Sequence, residues 1–365
     1  MKIRLNRLEF LNELAPMQGI VERRTTIPVL SHLLLKSGDD RLDLAATDLD
    51  VSLTSWCEAE VDGTGGIAVQ ARKFLEIIRA VVGEEVLLEL TGENRLKIAS
   101  GGSRFTINGL SAEDFPTLPE VDGDAPIPLP FAGFKRMVGK VIFAVSTEES
   151  RFQLNGALVK LKDGGLEMVA TDGHRLALVE NGIEGAVEAE GVLVPRKALL
   201  ELQRFEGDGS LEFRRSEHHL SFRLGRRELI CRILEGTFPD YERVIAKDND
   251  KIGTFDRRLL SEAVQRVALL TGDRARAVRL EFAAEGTTVS AANPDLGEAS
   301  ETVACEFEGE TISLGINPDY LGHFLGAIET DKVTLQLKDE NTQAVGVPVD
   351  GDDLRYLCVI MPMRV

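Results

Sequence analysis

The sequence predicts an α+β protein made of three tandem copies of one domain, each holding two helices and an antiparallel sheet. Two observations lead there. Short motifs recur along the 365 residues at a constant spacing, and within every copy the apolar residues switch from a helical period to an alternating one in the same order. The length suits two or three domains of about 150 residues each. With 43% hydrophobic and 28% charged residues, the chain has the apolar content to bury real cores and lacks the composition of a fibre or a wholly disordered chain.

Three anchors carry the repeat. Ala46-Thr47-Asp48 closes the apolar run 42–46 and returns 124 residues later as Ala170-Thr171-Asp172. A weaker third version, 289–292 running into Asn293-Pro294, lies 122 residues further on. Phe115-Pro116 returns as Phe238-Pro239 and, altered, as Met361-Pro362, each step being 123 residues. Arg72-Lys73-Phe74-Leu75 matches Arg196-Lys197-Ala198-Leu199 at 124. That period is too long for a solenoid repeat of about 20 to 50 residues and fits a whole domain. The expected domains are 1–123, 124–248 and 249–365.

Each copy opens on a helical stripe. Leu8, Leu11, Leu14, Met17 and Val21 recur at three- and four-residue steps, as do Phe134, Met137, Val138, Val141 and Ile142, and then Leu259, Leu260, Ala263, Val264 and Val267. Strand-like runs follow, such as 153–161 and 278–282, with Gly- or Asp-rich turns between them. A second helix is expected midway, at 71–82, 195–205 and 319–328, with Pro195 and Pro318 placed as helix-start prolines. Runs such as 85–90, 96–99, 220–224 and 333–337 close the copies as further strands.

The formal charge is −18, which at first disfavours nucleic acid. Its distribution leaves nucleic acid open, because the helical segments 71–82, 132–146, 195–206 and 256–271 are each net positive, although ordinary solvated helix faces would give the same pattern. If these helices share a surface, it can face phosphates without reading bases, while the acidic remainder repels nucleic acid. Several other classes are excluded. Cys57, Cys231, Cys305 and Cys358 are far apart with no C-x-x-C pair, which fits buried reduced thiols. No G-x-x-x-x-G-K-[ST] loop is present, so ATP hydrolysis is not expected. Asp172 and His174 invite an acid–base reading, but no nucleophile elbow accompanies them. His218-His219 lacks metal-ligand spacing. No window approaches the roughly 18 apolar residues of a membrane span, and no secretory leader is recognisable, so the expected location is the cytoplasm.

The motifs F-A-V-S-T-E-E-S at 143–150, L-N-G at 154–156, A-T-D-G-H-R-L at 170–176, F-P-D-Y at 238–241 and V-I-M-P-M-R-V at 359–365 resemble the β subunit of bacterial DNA polymerase III, the sliding clamps. R-T-T-I-P-V-L at 24–30 and A-E-D-F-P at 112–116 extend the resemblance over the whole chain. It implies the DNA clamp fold: a head-to-tail homodimeric ring of six similar units, with helices lining the hole. The implied function is that of a processivity factor, without a catalytic site, metal or cofactor, which encircles double-stranded DNA near the nucleoid and contacts it without regard to sequence. The implied partners are the replicative polymerase, the clamp loader and repair polymerases, each bound through a short linear peptide.

The resemblance places the peptide cleft at Leu154, Thr171, Gly173, His174, Arg175, Leu176, Pro239, Arg243, Val244, Val359, Met361, Pro362, Met363 and Arg364. Methionines there can adapt to varied apolar anchors, and arginines at the rim can meet peptide carbonyls or acidic side chains. One or two of the Leu and Val members are expected to be plain core, whereas an apolar C-terminal tail frays unless it docks. Resemblance and charge together favour Arg24, Arg72, Lys73, Arg151, Arg196 and Lys197 as DNA contacts. Phe152 and Gln153 stand where the family pattern has two tyrosines. The ring joint is expected to use Arg104 and Phe105 on one edge and Leu269, Leu270, Glu298 and Glu301 on the other.

Overall fold

A computed structural model describes residues 1–22, 25–92, 94–122, 125–183, 188–272, 276–351 and 353–364. Six α-helices occur among them: α1 (Arg7–Ile20), α2 (Ala71–Ala80), α3 (Phe131–Val141), α4 (Arg196–Arg204), α5 (Arg257–Val267) and α6 (Pro318–Ala327). Four of the starts follow from side-chain capping. Asn6 accepts from the Leu8 and Glu9 N–H groups, Gln70 from Lys73, Asp256 from Leu259, and Asn317 from Asp319 with Pro318 at the first helical position.

The chain forms two compact units. The first comprises 1–132 with 197–233, and its strands make a thirteen-stranded sheet among the described residues. Helices α1 and α2 pack together and α1 covers the strands Arg41–Thr47 and Val51–Glu58. Phe10 and Phe74 meet edge to face with ring centroids 5.8 Å apart. Both are fully buried, and burial of a phenyl side chain contributes about 2 to 3 kcal/mol. The second unit comprises 133–196 with 234–365 and contains a nine-stranded and a four-stranded sheet among the described residues. There α5 packs on α6 and on strand Gly297–Val303.

Neighbouring copies of the repeat are joined by strand pairing. Strand Val51–Glu58 of the first copy runs antiparallel to Arg227–Arg232 of the second, with Leu53 opposite Leu229. Strand Arg175–Gly182 of the second runs antiparallel to Leu354–Ile360 of the third, with Leu176 opposite Val359. The thirteen- and nine-stranded sheets therefore each continue from one copy into the next, and the second copy contributes strands to both units.

Four local expectations are corrected. The buried stripe of α1 is Phe10, Leu14, Met17 and Ile20, while Leu8 is exposed and Leu11 and Val21 are half-buried, so the helix buries a face rotated from the expected one. Residues 149–154 form a 3₁₀ segment, and the strand begins only at Gly156. Pro195 ends strand Val192–Pro195 and does not open α4, which starts at Arg196. The helices expected to run to 146 and 271 tighten into 3₁₀ turns at Ile142–Ala144 and Ala268–Leu270. No helix among the described residues is long and apolar enough to cross a membrane.

Candidate binding cleft and cationic surface

All fourteen expected cleft residues lie in the second unit. The turn after strand Gly165–Thr171 organises them. Thr171 Oγ1 donates to the Arg175 carbonyl at 2.6 Å and accepts from the Gly173 N–H at 3.1 Å, while the Asp172 carboxylate accepts from the His174 and Arg175 N–H groups. Gly173 has φ +88°, a region costly to side-chain-bearing residues, and a Cβ there would come within 2.8 Å of an Arg151 guanidinium nitrogen. The turn leaves Gly173 and His174 exposed.

Arg175 corrects the expectation of a rim arginine. It is 8% exposed and turned inward. Its Nε donates to Asp172 at 3.0 Å, one terminal nitrogen contacts His323 Nδ1 at 2.7 Å, and the other donates to the Phe143 carbonyl. The guanidinium also lies over the Tyr320 and Phe143 rings, 4.5 and 5.1 Å from their centroids. Its cationic donors are engaged within the fold, leaving Arg243 and Arg364 as the exposed arginines of the set.

The C-terminal tail is docked. The Met361 N–H donates to the His174 carbonyl at 3.0 Å and the Met363 N–H to the Gly315 carbonyl at 2.8 Å. Met361, Pro362 and Met363 are half-buried, and Arg364 is exposed. Below them Leu176 and Val359 join Val169, Leu178, Tyr241, Val345 and Leu357 in one buried cluster, with Val244 packed against it. Leu154, Leu176 and Val359 are all buried, so three of the Leu and Val members are core, one more than expected. The Tyr241 hydroxyl donates to the buried Glu167 carboxylate, which fixes the segment carrying Pro239, Arg243 and Val244. Burial, and then that bond, raise the phenol above its ordinary range.

Sequence comparison agrees with this architecture copy by copy. Residues 1–119, 128–240 and 242–364 match the N-terminal, central and C-terminal domains of the DNA polymerase III beta subunit. The chain belongs to the bacterial sliding-clamp family. The beta sliding clamps of Caulobacter vibrioides, Pseudomonas putida and Escherichia coli K12 are 38%, 36% and 32% identical to it, each alignment covering 100% of both chains. The crystal structure of the Pseudomonas aeruginosa beta subunit superposes with a TM-score of 0.94 at 35% identity over 100% of both chains. A Bartonella birtlesii sliding clamp bound to griselimycin superposes equally well, at 33% identity and the same coverage.

The residues expected to meet DNA in this clamp-family chain differ in their freedom. Arg72 and Lys73 are exposed on α2 and share Glu76, and Arg79 adds an exposed cation nearly two helical turns beyond that pair. Arg151 is exposed, pairs with Glu148 at 3.5 Å and donates to the Asp172 carbonyl. Arg196 is half-buried. Lys197 is tied down by the Asp48 carboxylate and by the Ile20 carbonyl, so a phosphate would have to displace both. Arg24 lies outside the described residues. The positive charge of α3 is also less free than its sequence suggests, since Arg136 pairs with Asp353 and the buried Lys140 donates to the Ala327 carbonyl.

At the expected ring edges, Arg104, Phe105, Leu269 and Glu298 are exposed, and Leu270 is half-buried. Glu301 already makes a bidentate contact with Arg266 at 2.7 and 2.9 Å. Asp172 and His174 do not form an acid–base pair: the carboxylate is bonded to backbone N–H groups and Arg175, while the imidazole stacks on Tyr320 with centroids 6.3 Å apart. Cys57, Cys231 and Cys358 are buried and Cys305 half-buried. Burial pushes the Cys57 and Cys358 thiols up to about 12. Sequence reasoning missed Tyr320, His323 and Phe143. The first two stand three apart on α6, a spacing that places them on one helix face.

Proposed function

We propose that two copies of this chain close head to tail into a ring around duplex DNA, with the helices toward the hole, and that the ring tethers polymerases, the clamp loader and repair proteins through short peptides seated in the cleft. The reading takes 1–123, 124–248 and 249–365 as the three ring units of each chain, working in the cytoplasm without a catalytic site of its own.

One observation carries it. Both joints between copies use the same two strands of the repeat: Val51–Glu58 with Arg227–Arg232, then Arg175–Gly182 with Leu354–Ile360. Following the repeat, the remaining strands of these two kinds are Gly297–Val303 and Ser103–Ser111. Among the described residues, Gly297–Val303 is an edge strand, and residues 103–108 pair on one side only. Two such edges of opposite kind on one chain support a heterologous joint that closes by rotation. Phe105 and Leu269 supply apolar anchors beside these edges, and Arg104 faces Glu298 in sign. Linkage, not affinity, then holds the DNA, so the ion-paired cations of α2 and α4 suit a surface that must slide.

The test has two arms. A particle of about 80 kDa in solution, twice the 40.0 kDa of one chain, supports the ring, and a 40.0 kDa particle removes it. Protein loaded on circular DNA should be released when the circle is cut, and retention on the linear product would assign binding to ordinary affinity. For the cleft, removing residues 361–365 should abolish binding of griselimycin, the ligand of the Bartonella relative's structure, while leaving the particle mass unchanged.

A further inference from the structure

Arg175 can only donate hydrogen bonds, because a guanidinium has no acceptor and keeps its proton. Its 2.7 Å contact with His323 Nδ1 therefore requires that nitrogen to be unprotonated, which fixes the imidazole as the Nε2–H tautomer. The ring is held there by stacking on Phe143, with centroids 6.0 Å apart. From His323 the connections run outward: Arg175 to Asp172, Asp172 to the N–H groups of His174 and Arg175, and the His174 carbonyl to the Met361 N–H. Four successive contacts join α6 to the turn at 171–175 and to the docked tail.

We propose that His323 is a positioning residue for the cleft: as a neutral acceptor it locks Arg175, and through Arg175 the 171–175 turn and Met361, and its protonation releases them. Protonated, His323 would put a second cation against the guanidinium and forfeit the acceptor. The charged groups around it are Arg175 and Asp172 from the turn and Asp319 one helical turn earlier on α6, the last also paired with Arg276. His323 is an exposed residue of α6 whose ring is only partly desolvated against Phe143; the carboxylates favour the imidazolium, but that partial desolvation and the Arg175 guanidinium prevail and hold His323 below the ordinary histidine range. The sign follows. Above about pH 6.5 the locked form is fully present, and it is lost as pH falls from there through the lowered value.

This inference rests on the cleft reading above, so its experiment begins without ligand. Backbone amide spectra of the intact protein recorded from pH 8 to pH 5 should show Ala144, Leu176 and Met361 shifting together with the His323 ring, and the ring nitrogens of His323 should report the Nε2–H tautomer at pH 8. In His323→Asn, whose amide oxygen can replace Nδ1 as acceptor but cannot be protonated in this range, those amide shifts should vanish. An unchanged titration at the three amides in His323→Asn, or the Nδ1–H tautomer in the wild type, overturns the proposal. Griselimycin affinity should then fall roughly threefold or more between pH 8 and pH 5 in the wild type and stay flat in His323→Asn. An equal fall in both would place the effect elsewhere than at His323 and also overturn it. If griselimycin binds at no pH, the cleft reading fails while the amide titration still decides the role of His323.

Discussion

The first and second copies carry the same turn and use it differently. In both, a Thr hydroxyl accepts the N–H two residues on, Thr47 from Leu49 at 3.0 Å and Thr171 from Gly173 at 3.1 Å. In both, the Asp carboxylate accepts the next two N–H groups, from Asp50 and Val51 in one and from His174 and Arg175 in the other. The third residue has positive φ in both, +82° at Leu49 and +88° at Gly173. The second carboxylate oxygen separates them. Asp48 spends it on Lys197 of α4, whereas Asp172 spends it on Arg175 within its own turn. The first turn therefore fastens a strand end to a helix. The second, satisfied internally, leaves its tip open beside the docked tail. A shared local hydrogen-bond pattern fixes a backbone shape, and the partner of one oxygen decides whether that shape serves adhesion between elements or presentation to a ligand.

Substitutions can break this contrast. The largest effect is expected at Arg175→Ala, which strips a nearly buried cation from Asp172, His323 and the Phe143 carbonyl and should cost about 3 kcal/mol in urea unfolding. Lys197→Ala removes the corresponding tie of the first turn from a more accessible site and should cost only about 1 kcal/mol. Gly173→Ala falls between these two: the positive φ and the approach to Arg151 should together cost about 1 to 2 kcal/mol and weaken griselimycin. Smallest, and opposite in sign, is Leu49→Asn. Asn tolerates positive φ far better than Leu, so thermal unfolding should show a gain of about 0.5 to 1 kcal/mol with griselimycin affinity unchanged.

These residues also mark what could be read from the chain itself. The repeat was legible because Ala-Thr-Asp and Phe-Pro sit at turns and segment ends whose chemistry is local. The stripes of α3 and α5 were legible for the most part: Phe134, Met137, Val138, Val141 and Leu260, Ala263, Val264, Val267 are buried, whereas Ile142 is half-buried and Leu259 is exposed. The stripe of α1 was misread at its first turn, since leucines on two faces offered alternatives that only the sheet beneath decides. The inward role of Arg175 was illegible for another reason: its partners Phe143 and His323 lie 32 and 148 residues away and come from other elements. The same holds for Lys197 and Asp48, which are 149 residues apart. Charge counted along a helix therefore overstated what is free to meet a phosphate.

The strand-to-strand joints also set how the chain can be taken apart. Because Val51–Glu58 and Arg175–Gly182 each complete a sheet begun in the next copy, cutting the chain between copies would bare a row of backbone donors and acceptors on each side. The middle copy in particular would lose partners at both borders. Excised alone, it should be prone to aggregate, so a threefold sequence repeat here does not amount to three interchangeable parts.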